Sequence, residues 1–371
     1  MIISKSLLWS TQFLLLISLI LGNCGESIPV DCATENECVT ENEGGFETVT
    51  AATTVLGVVA AIALATSVEN GQETVNKDSS EEIASIENSK DFSSVDILGT
   101  TRLKLNHDGV LRETLVYVPE SYEGSEAVPL LLNFHGYGGF AANHLLTADF
   151  RQLAEVQTFL LAYPQGSLLD DSPHWNPSPP SATNKSTVDD FGFIESLIDN
   201  LSATYRIDEE RVYAVGYSNG AMLAFGLACY RGERIAAVGS VSGTMLTDIG
   251  NPCQPPQPTA VITLHGTQDY ILPYYTSDNV SNPKGDSSGY VPAEGVVEYW
   301  VDFNQTQSSP TKETTISSGQ TVHSFVYAGG QEGVEVQHYQ VIGGEHVWFD
   351  LQVAGFGTNE LIWNFLSRFR L

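Results

Sequence analysis

The sequence predicts an α/β domain with a mostly parallel central sheet flanked by helices. Three observations carry this expectation. From about Thr100 onward, strand-like apolar runs alternate with helical patterns. One run, Pro129 to Phe134, is so continuously apolar that it reads as buried on both faces, as parallel strands are. Several runs end in glycine loops that carry polar residues.

In chain order, Leu115 to Val118 and Pro129 to Phe134 read as strands. The loop His135-Gly136-Tyr137-Gly138-Gly139 follows, then a helix over Ala141 to Val156 and a strand over Thr158 to Ala162. Asp189 is placed to N-cap a helix over Phe191 to Tyr205, because a side-chain oxygen there satisfies otherwise orphaned amides. A strand at Arg211 to Val215, a helix at Ala221 to Tyr230 and strands at Ile235 to Val241 and Thr259 to Leu264 come next. A helix at Ala293 to Asn304, a strand at Val336 to Val341 and an amphipathic helix at Asn359 to Phe369 complete the pattern.

Length and composition bound the function. The 371 residues allow two domains, or one large α/β domain with added segments. Lys and Arg total 16 against 45 Asp and Glu, a formal charge of −29, which repels nucleic acid and anionic membrane surfaces. With 42% hydrophobic and 10% aromatic residues, the chain is no wholly disordered protein. Residues 1–23 read as an export signal, with Lys5 ahead of the apolar run Phe13 to Leu21 and small Gly22 beyond it. Cys24 stands where a lipoprotein would carry its acylated cysteine, and a plain secretory signal is the alternative. Residues 24–98 read as a disordered acidic spacer. Their weakly apolar stretch 49–67 lacks the flanking Lys or Arg that would orient a membrane span. Residues 99–371 form the expected catalytic domain.

The chemistry centres on Gly216-Tyr217-Ser218-Asn219-Gly220, between a predicted strand and a predicted helix. Flanking glycines permit the sharp turn that would lift a serine hydroxyl out at the top of a sheet. Such a serine needs a base, and the base needs an orienting acid. His265-Gly266-Thr267-Gln268-Asp269 puts Asp269 just past a strand, with Asp278 as the rival acid, and Gly343-Gly344-Glu345-His346-Val347-Trp348 puts His346 just past another. The chain order Ser, Asp, His is that of the triad in α/β-hydrolases. Acyl transfer also requires donors for an oxyanion. The amide of Asn219 and that of Tyr137 in the glycine loop are the candidates, with His135 read as a support for the loop. Tyr137, Trp175, Tyr217 and Trp348 are candidate aromatic substrate contacts. No Cys/His spacing typical of a metal site is present, and the chemistry calls for no cofactor.

The stretches LLLNFHGYGG (Leu130 to Gly139), YPQG (Tyr163 to Gly166), Trp175-Asn176, VDDFGFI (Val188 to Ile194), RVYAVGYSNGAM (Arg211 to Met222), HGTQD (His265 to Asp269) and GGEHVW (Gly343 to Trp348) resemble the polyhydroxybutyrate depolymerase and feruloyl esterase-like family of secreted α/β-hydrolases. The resemblance covers roughly Thr100 to Leu371. It implies the α/β-hydrolase fold, Ser218 as nucleophile, Asp269 as acid and His346 as base. It further implies a disulfide between Cys229 and Cys253. Cys32 and Cys38 are a separate candidate pair within the spacer. The implied substrate is a carboxylic ester, either a feruloyl or acetyl ester on polysaccharide or a hydroxyalkanoate polyester. Glu345 and Phe349 depart from a third glycine and a proline common in that family, which touches substrate preference rather than the triad. Two other readings compete. A serine peptidase of prolyl-oligopeptidase type would need an accessory domain, for which the region before Thr100 is too short and polar. A non-catalytic surface-binding protein would not need all three residues at strand exits.

Overall fold

The computed structural model describes residues 31–34, 37–39, 99–179, 184–246, 253–275 and 289–371. The chain divides into two units, residues 1–89 and 90–371. In the first, the described residues form one antiparallel pair, Asp31–Thr34 with Glu37–Val39, in which Cys32 and Cys38 are register partners. The export signal, Cys24, the stretch 49–67 and the rest of the expected spacer lie outside the described residues, as does Asp278.

In the second unit, ten strands among the described residues make one sheet. They are β1 (Thr101–His107), β2 (Val110–Tyr117), β3 (Val128–Phe134), β4 (Leu160–Pro164), β5 (Ile207–Tyr217), β6 (Ala237–Val241), β7 (Ala260–Gly266), β8 (Thr311–Ser317), β9 (Gln320–Tyr327) and β10 (Val336–Val341). Their spatial order is β8-β9-β10-β7-β6-β5-β3-β4-β2-β1. The run from β10 to β4 is parallel throughout. The pairs β1–β2, β2–β4, β8–β9 and β9–β10 are antiparallel and form the two flanks.

The buried strands follow the apolar runs. Every residue of β3, β4, β6 and β7 is buried, because helices cover both sheet faces. On one face, Leu130, Leu132 and Phe134 of β3 join a core built with α3 (Asp190–Thr204), α4 (Asn219–Arg231) and α5 (Ala293–Phe303). On the other, Trp363 of α6 (Thr358–Leu366) stacks on Phe159 at 3.6 Å and meets Tyr213 edge-on at 5.9 Å. Asp189 caps α3 as expected, its Oδ1 accepting from Gly192 N at 3.0 Å.

Two features differ from the expectation. The helix predicted over Ala141 to Val156 is two, α1 (Ala141–Thr147) and α2 (Arg151–Gln157). The break has a tertiary cause. Tyr163 OH donates to the Ala148 carbonyl at 2.7 Å and accepts from Phe150 N at 3.3 Å, while Asp149 Oδ1 takes Arg151 N at 3.0 Å. These backbone groups are thereby withdrawn from a continuous helix. The flanking hairpins β1–β2 and β8–β9 were not anticipated in full. Asp108-Gly109 and Ser318-Gly319 turn them, all four residues having positive φ (50°, 78°, 48° and 81°), as two-residue hairpin turns require.

A disulfide joins Cys229 at the end of α4 to Cys253, with a sequence separation of 24 residues. Loop-closure entropy puts its contribution at about 3 kcal/mol. Cys253→Ser is therefore expected to lower the unfolding free energy by that order in a urea titration. A midpoint equal to that of the oxidised wild type would contradict this.

Candidate active site

Three loops leave the carboxyl ends of parallel strands and converge. Ser218 directly follows β5, Asp269 follows β7 and His346 follows β10. The turn at Ser218 is the tightest part. Ser218 has φ 53° and ψ −117°, a conformation that costs a non-glycine residue about 1–3 kcal/mol and persists only where its surroundings impose it. Its amide donates to the Val241 carbonyl at 3.1 Å, and its own carbonyl accepts from Met222 N at 3.1 Å in the first turn of α4.

Glycine at positions 216 and 220 is needed for close approach. A Cβ on Gly216 would lie 2.3 Å from the Gly220 carbonyl carbon, and one on Gly220 would lie 2.3 Å from the Phe134 carbonyl oxygen. Strand, turn and helix are thus pressed against the end of β3. Gly220→Ala is expected to destabilise the fold by about 3 kcal/mol or more, since backbone must move to admit the methyl group. Denaturant unfolding reads this directly, and an unchanged midpoint would refute the packing argument.

The three side chains form one hydrogen-bonded line. His346 Nε2 lies 2.9 Å from Ser218 Oγ, and His346 Nδ1 lies 2.7 Å from Asp269 Oδ2. Asp269 Oδ1 accepts from the amides of Ile271 and Leu272, both at 2.9 Å. His265 Nε2 lies 3.2 Å from Asp269 Oδ2. Burial alone would push the Asp269 carboxyl up, but hydrogen bonds from His265 and His346 outweigh it and hold the group well below the usual carboxylate range. The loops bearing acid and histidine are also joined through their backbones. Thr267 N donates to Val341 O and Gln268 N to Gly344 O, each at 2.9 Å, and Gly343 N donates to Thr267 Oγ1 at 2.8 Å. Just past β6, Ser242 Oγ donates to the Val347 carbonyl at 2.8 Å.

The loop His135 to Gly139 lies against this line. A Cβ on Gly136 would come within 2.9 Å of the Tyr217 ring and 3.3 Å of Ser218 Cβ, so the backbone entering Tyr137 passes beside the serine. Asn219 opens α4, whose first amides have no partner within the helix. His135 supports the loop. Its buried ring accepts from Gly166 N at Nε2 (2.9 Å) and donates from Nδ1 to Gly136 O (2.7 Å), and burial lowers its pKa to about 4, so it stays neutral.

The aromatic residues expected to contact substrate are placed differently. Trp175 is fully buried: its indole N–H donates to His135 O at 3.0 Å, and its backbone N and O pair with the Asn219 side chain at 2.8 and 3.0 Å. It therefore braces the glycine loop and the serine turn from within the core, and no substrate reaches it. Tyr217 donates its hydroxyl to the His346 carbonyl at 2.8 Å, and its ring lies 5.2 Å from the imidazole. Burial raises its pKa to about 12, so it remains a donor. Trp348 packs edge-on against His144 and Phe150 at 5.5 and 6.4 Å and donates to Asn359 Oδ1 at 3.3 Å. Tyr137 is exposed, with Lys185 Nζ 4.1 Å over its ring. Phe349 is buried against Gly344, which accounts for an apolar residue there, and Glu345 is exposed. His265 belongs to the HGTQD motif, and a histidine at the end of the wholly buried, predominantly apolar β7 is itself a signal in the sequence.

Among the described residues, one group of metal-ligand type, His107, Asp108 and Asp189, has its ligand atoms within 4.8 Å of one another. Asp189 is there already engaged as the cap of α3. No helix among the described residues is long and apolar enough to cross a membrane.

Known proteins resemble this chain to differing extents. Residues 170–287 match a phospholipase/carboxylesterase family model, a span that includes Ser218 and Asp269. The chain is 24% identical over 262 residues to feruloyl esterase B of Piromyces equi, covering 70% of this chain and 46% of that protein. It is 30% identical over 208 residues to the putative esterase NocK of Nocardia uniformis, covering 56% and 53%. It is 24% identical to probable feruloyl esterase C of Aspergillus niger, covering 64% of this chain and 82% of that one. The chain thus spans about half the length of the Piromyces and Nocardia relatives. Among solved structures, the acetyl xylan esterase from Aspergillus awamori superposes with a TM-score of 0.51 at 14% identity, over 72% of this chain and 99% of that one. The chain has the α/β-hydrolase fold and is similar in sequence to feruloyl esterases.

Proposed function

We propose that the protein is a serine hydrolase of carboxylic esters that works through an acyl-enzyme. The observation that carries this reading is the unbroken line Ser218 Oγ, His346 imidazole and Asp269 carboxylate, set on a turn with positive φ. His346 Nε2 takes the Ser218 proton as Oγ attacks the ester carbonyl. The amides of Asn219 and Tyr137 hold the oxyanion, and His346 then protonates the leaving alcohol. Water activated by the same imidazole frees the acid. Asp269 stays ionised and keeps the Nδ1–H tautomer in place.

The substrate reading is an ester with an apolar acyl part, such as a feruloyl or acetyl ester on polysaccharide, as the relatives' names suggest, or a hydroxyalkanoate polyester. Large apolar residues close in sequence to the reacting groups or in the glycine loop are exposed: Tyr137 (49%), Tyr270 (65%), Ile271 (64%) and Val347 (43%). Each lies in the glycine loop or within two residues of Asp269 or His346, and such a rim favours an uncharged group over an ionic one. We read the chain as exported, either free or anchored through Cys24, and the disulfide fits an oxidising compartment.

The test sets the full chain beside Ser218→Ala on methyl ferulate, acetylated xylan and a hydroxybutyrate oligomer. Hydrolysis of at least one by the wild type alone is expected. Inactivity of the folded wild type on all three would overturn the reading.

A further inference from the structure

The loop that carries Asp269 is held by two buried histidines that the proposed chemistry does not use. His265, at the end of β7, is 1% exposed, and its Nε2 lies 3.0 Å from the Leu272 carbonyl as well as 3.2 Å from Asp269 Oδ2. That nitrogen faces two acceptors, so it carries a proton. Farther along the loop, Tyr274 OH donates to His338 Nε2 at 2.6 Å, and His338 Nδ1 donates to Thr263 Oγ1 at 2.6 Å. His338 is buried and its pKa falls to about 3, which makes it a neutral acceptor for the tyrosine. The segment from Asp269 to Tyr274 is thus tied to β7 at one end and to β10 at the other.

We propose that His265 is a positioning residue for the reaction: its Nε2–H, shared between Asp269 Oδ2 and the Leu272 carbonyl, aims the carboxylate at His346 and takes up part of its hydrogen-bonding capacity. The inference rests on the reading of Ser218, His346 and Asp269 as the reacting groups. Asp269 Oδ2 receives two imidazoles, and Oδ1 two backbone amides, so the carboxylate cannot rotate without breaking several charge-assisted bonds. The ionisable groups facing this cluster are Asp269, His346, Tyr217, Tyr274 and His338. Removing the His265 donor leaves Asp269 more basic, so it holds the His346 imidazolium more tightly.

The full chain is compared with its His265→Leu and His265→Gln variants, the glutamine amide being able to reach the carboxylate. In His265→Leu, kcat is expected to fall on the order of tenfold or more with KM within about twofold, because the lost bond orients rather than binds. The titration midpoint of His346, followed without substrate through the low-field Nδ1–H proton signal, is expected to move to higher pH. His265→Gln should recover most of both. Wild-type kcat and midpoint in folded His265→Leu overturn the proposal, and so does either change without the other, or a Gln variant no better than Leu. Should His265→Leu not fold, His265→Gln against the shorter His265→Asn carries the same comparison. Ser218→Ala serves as control. If the wild type cleaves no ester, the functional reading fails, and the substrate-free His346 signal still decides whether His265 sets the state of the acid.

Discussion

Ser218→Ala is expected to lower ester hydrolysis by about 10⁴-fold or more while leaving the fold intact. The size follows from what the hydroxyl alone can do. Its Oγ is 2.9 Å from His346 Nε2, and among the described residues no other hydroxyl is bonded to that imidazole. Alanine retains the Cβ, and the contacts that impose the turn are backbone ones, Ser218 N to Val241 O and Met222 N to Ser218 O. Residual rate would come from the candidate oxyanion amides and from binding. Comparing kcat/KM on the best substrate with the thermal melt separates loss of chemistry from loss of fold. A folded variant that keeps a tenth of the activity would contradict the assignment.

The second large effect is expected from Asp269→Asn, a drop of about 10³- to 10⁴-fold in kcat. The surrounding donors dictate why. Oδ1 accepts two backbone amides, so an asparagine must keep its oxygen there and turn its NH₂ towards His346. His346 Nδ1 then becomes an acceptor, Nε2 carries the proton, and that nitrogen can no longer take the proton of Ser218. The pH dependence has a definite sign. The folded carboxyl titrates below its unfolded value, so its stabilisation is fully present above about pH 4, the unfolded carboxylate value. It is lost as pH falls through the lower folded value. Wild type and Asp269→Asn should therefore differ in urea stability at pH 7 and converge only below the ordinary carboxylate range. A stability gap that persists undiminished at low pH would contradict the electrostatic account.

Much of the fold was legible because fully buried parallel strands are written as predominantly apolar runs, as in Pro129 to Phe134 and Thr259 to Leu264. The serine turn, the acid and the histidine were legible because each sits where a run meets glycine. What the sequence did not reveal depended on distant partners. Tyr163 interrupts the first helix from the next strand, which no local pattern announces. Trp175 belongs to the Trp175-Asn176 motif, and its expected nearness to the site suggested a substrate contact. Only the three-dimensional arrangement, with its indole bonded to His135 O and its backbone to Asn219, makes it a buried brace. The flanking hairpins carry a local signal in Asp108-Gly109 and Ser318-Gly319. His265 likewise stood in plain view, but its meaning requires knowing that Leu272 folds back over it.

The most direct test of the central claim is covalent. The full chain is treated with an activated phosphonate ester, whose phosphorus is attacked by a nucleophilic serine with expulsion of its nitrophenolate leaving group, and intact-mass and peptide mass spectrometry locate the phosphonyl adduct. The account predicts one adduct per chain, on the peptide carrying Ser218, formed far more slowly when His346 is replaced by Ala. A folded protein that forms no adduct, or forms it on another residue, would contradict it.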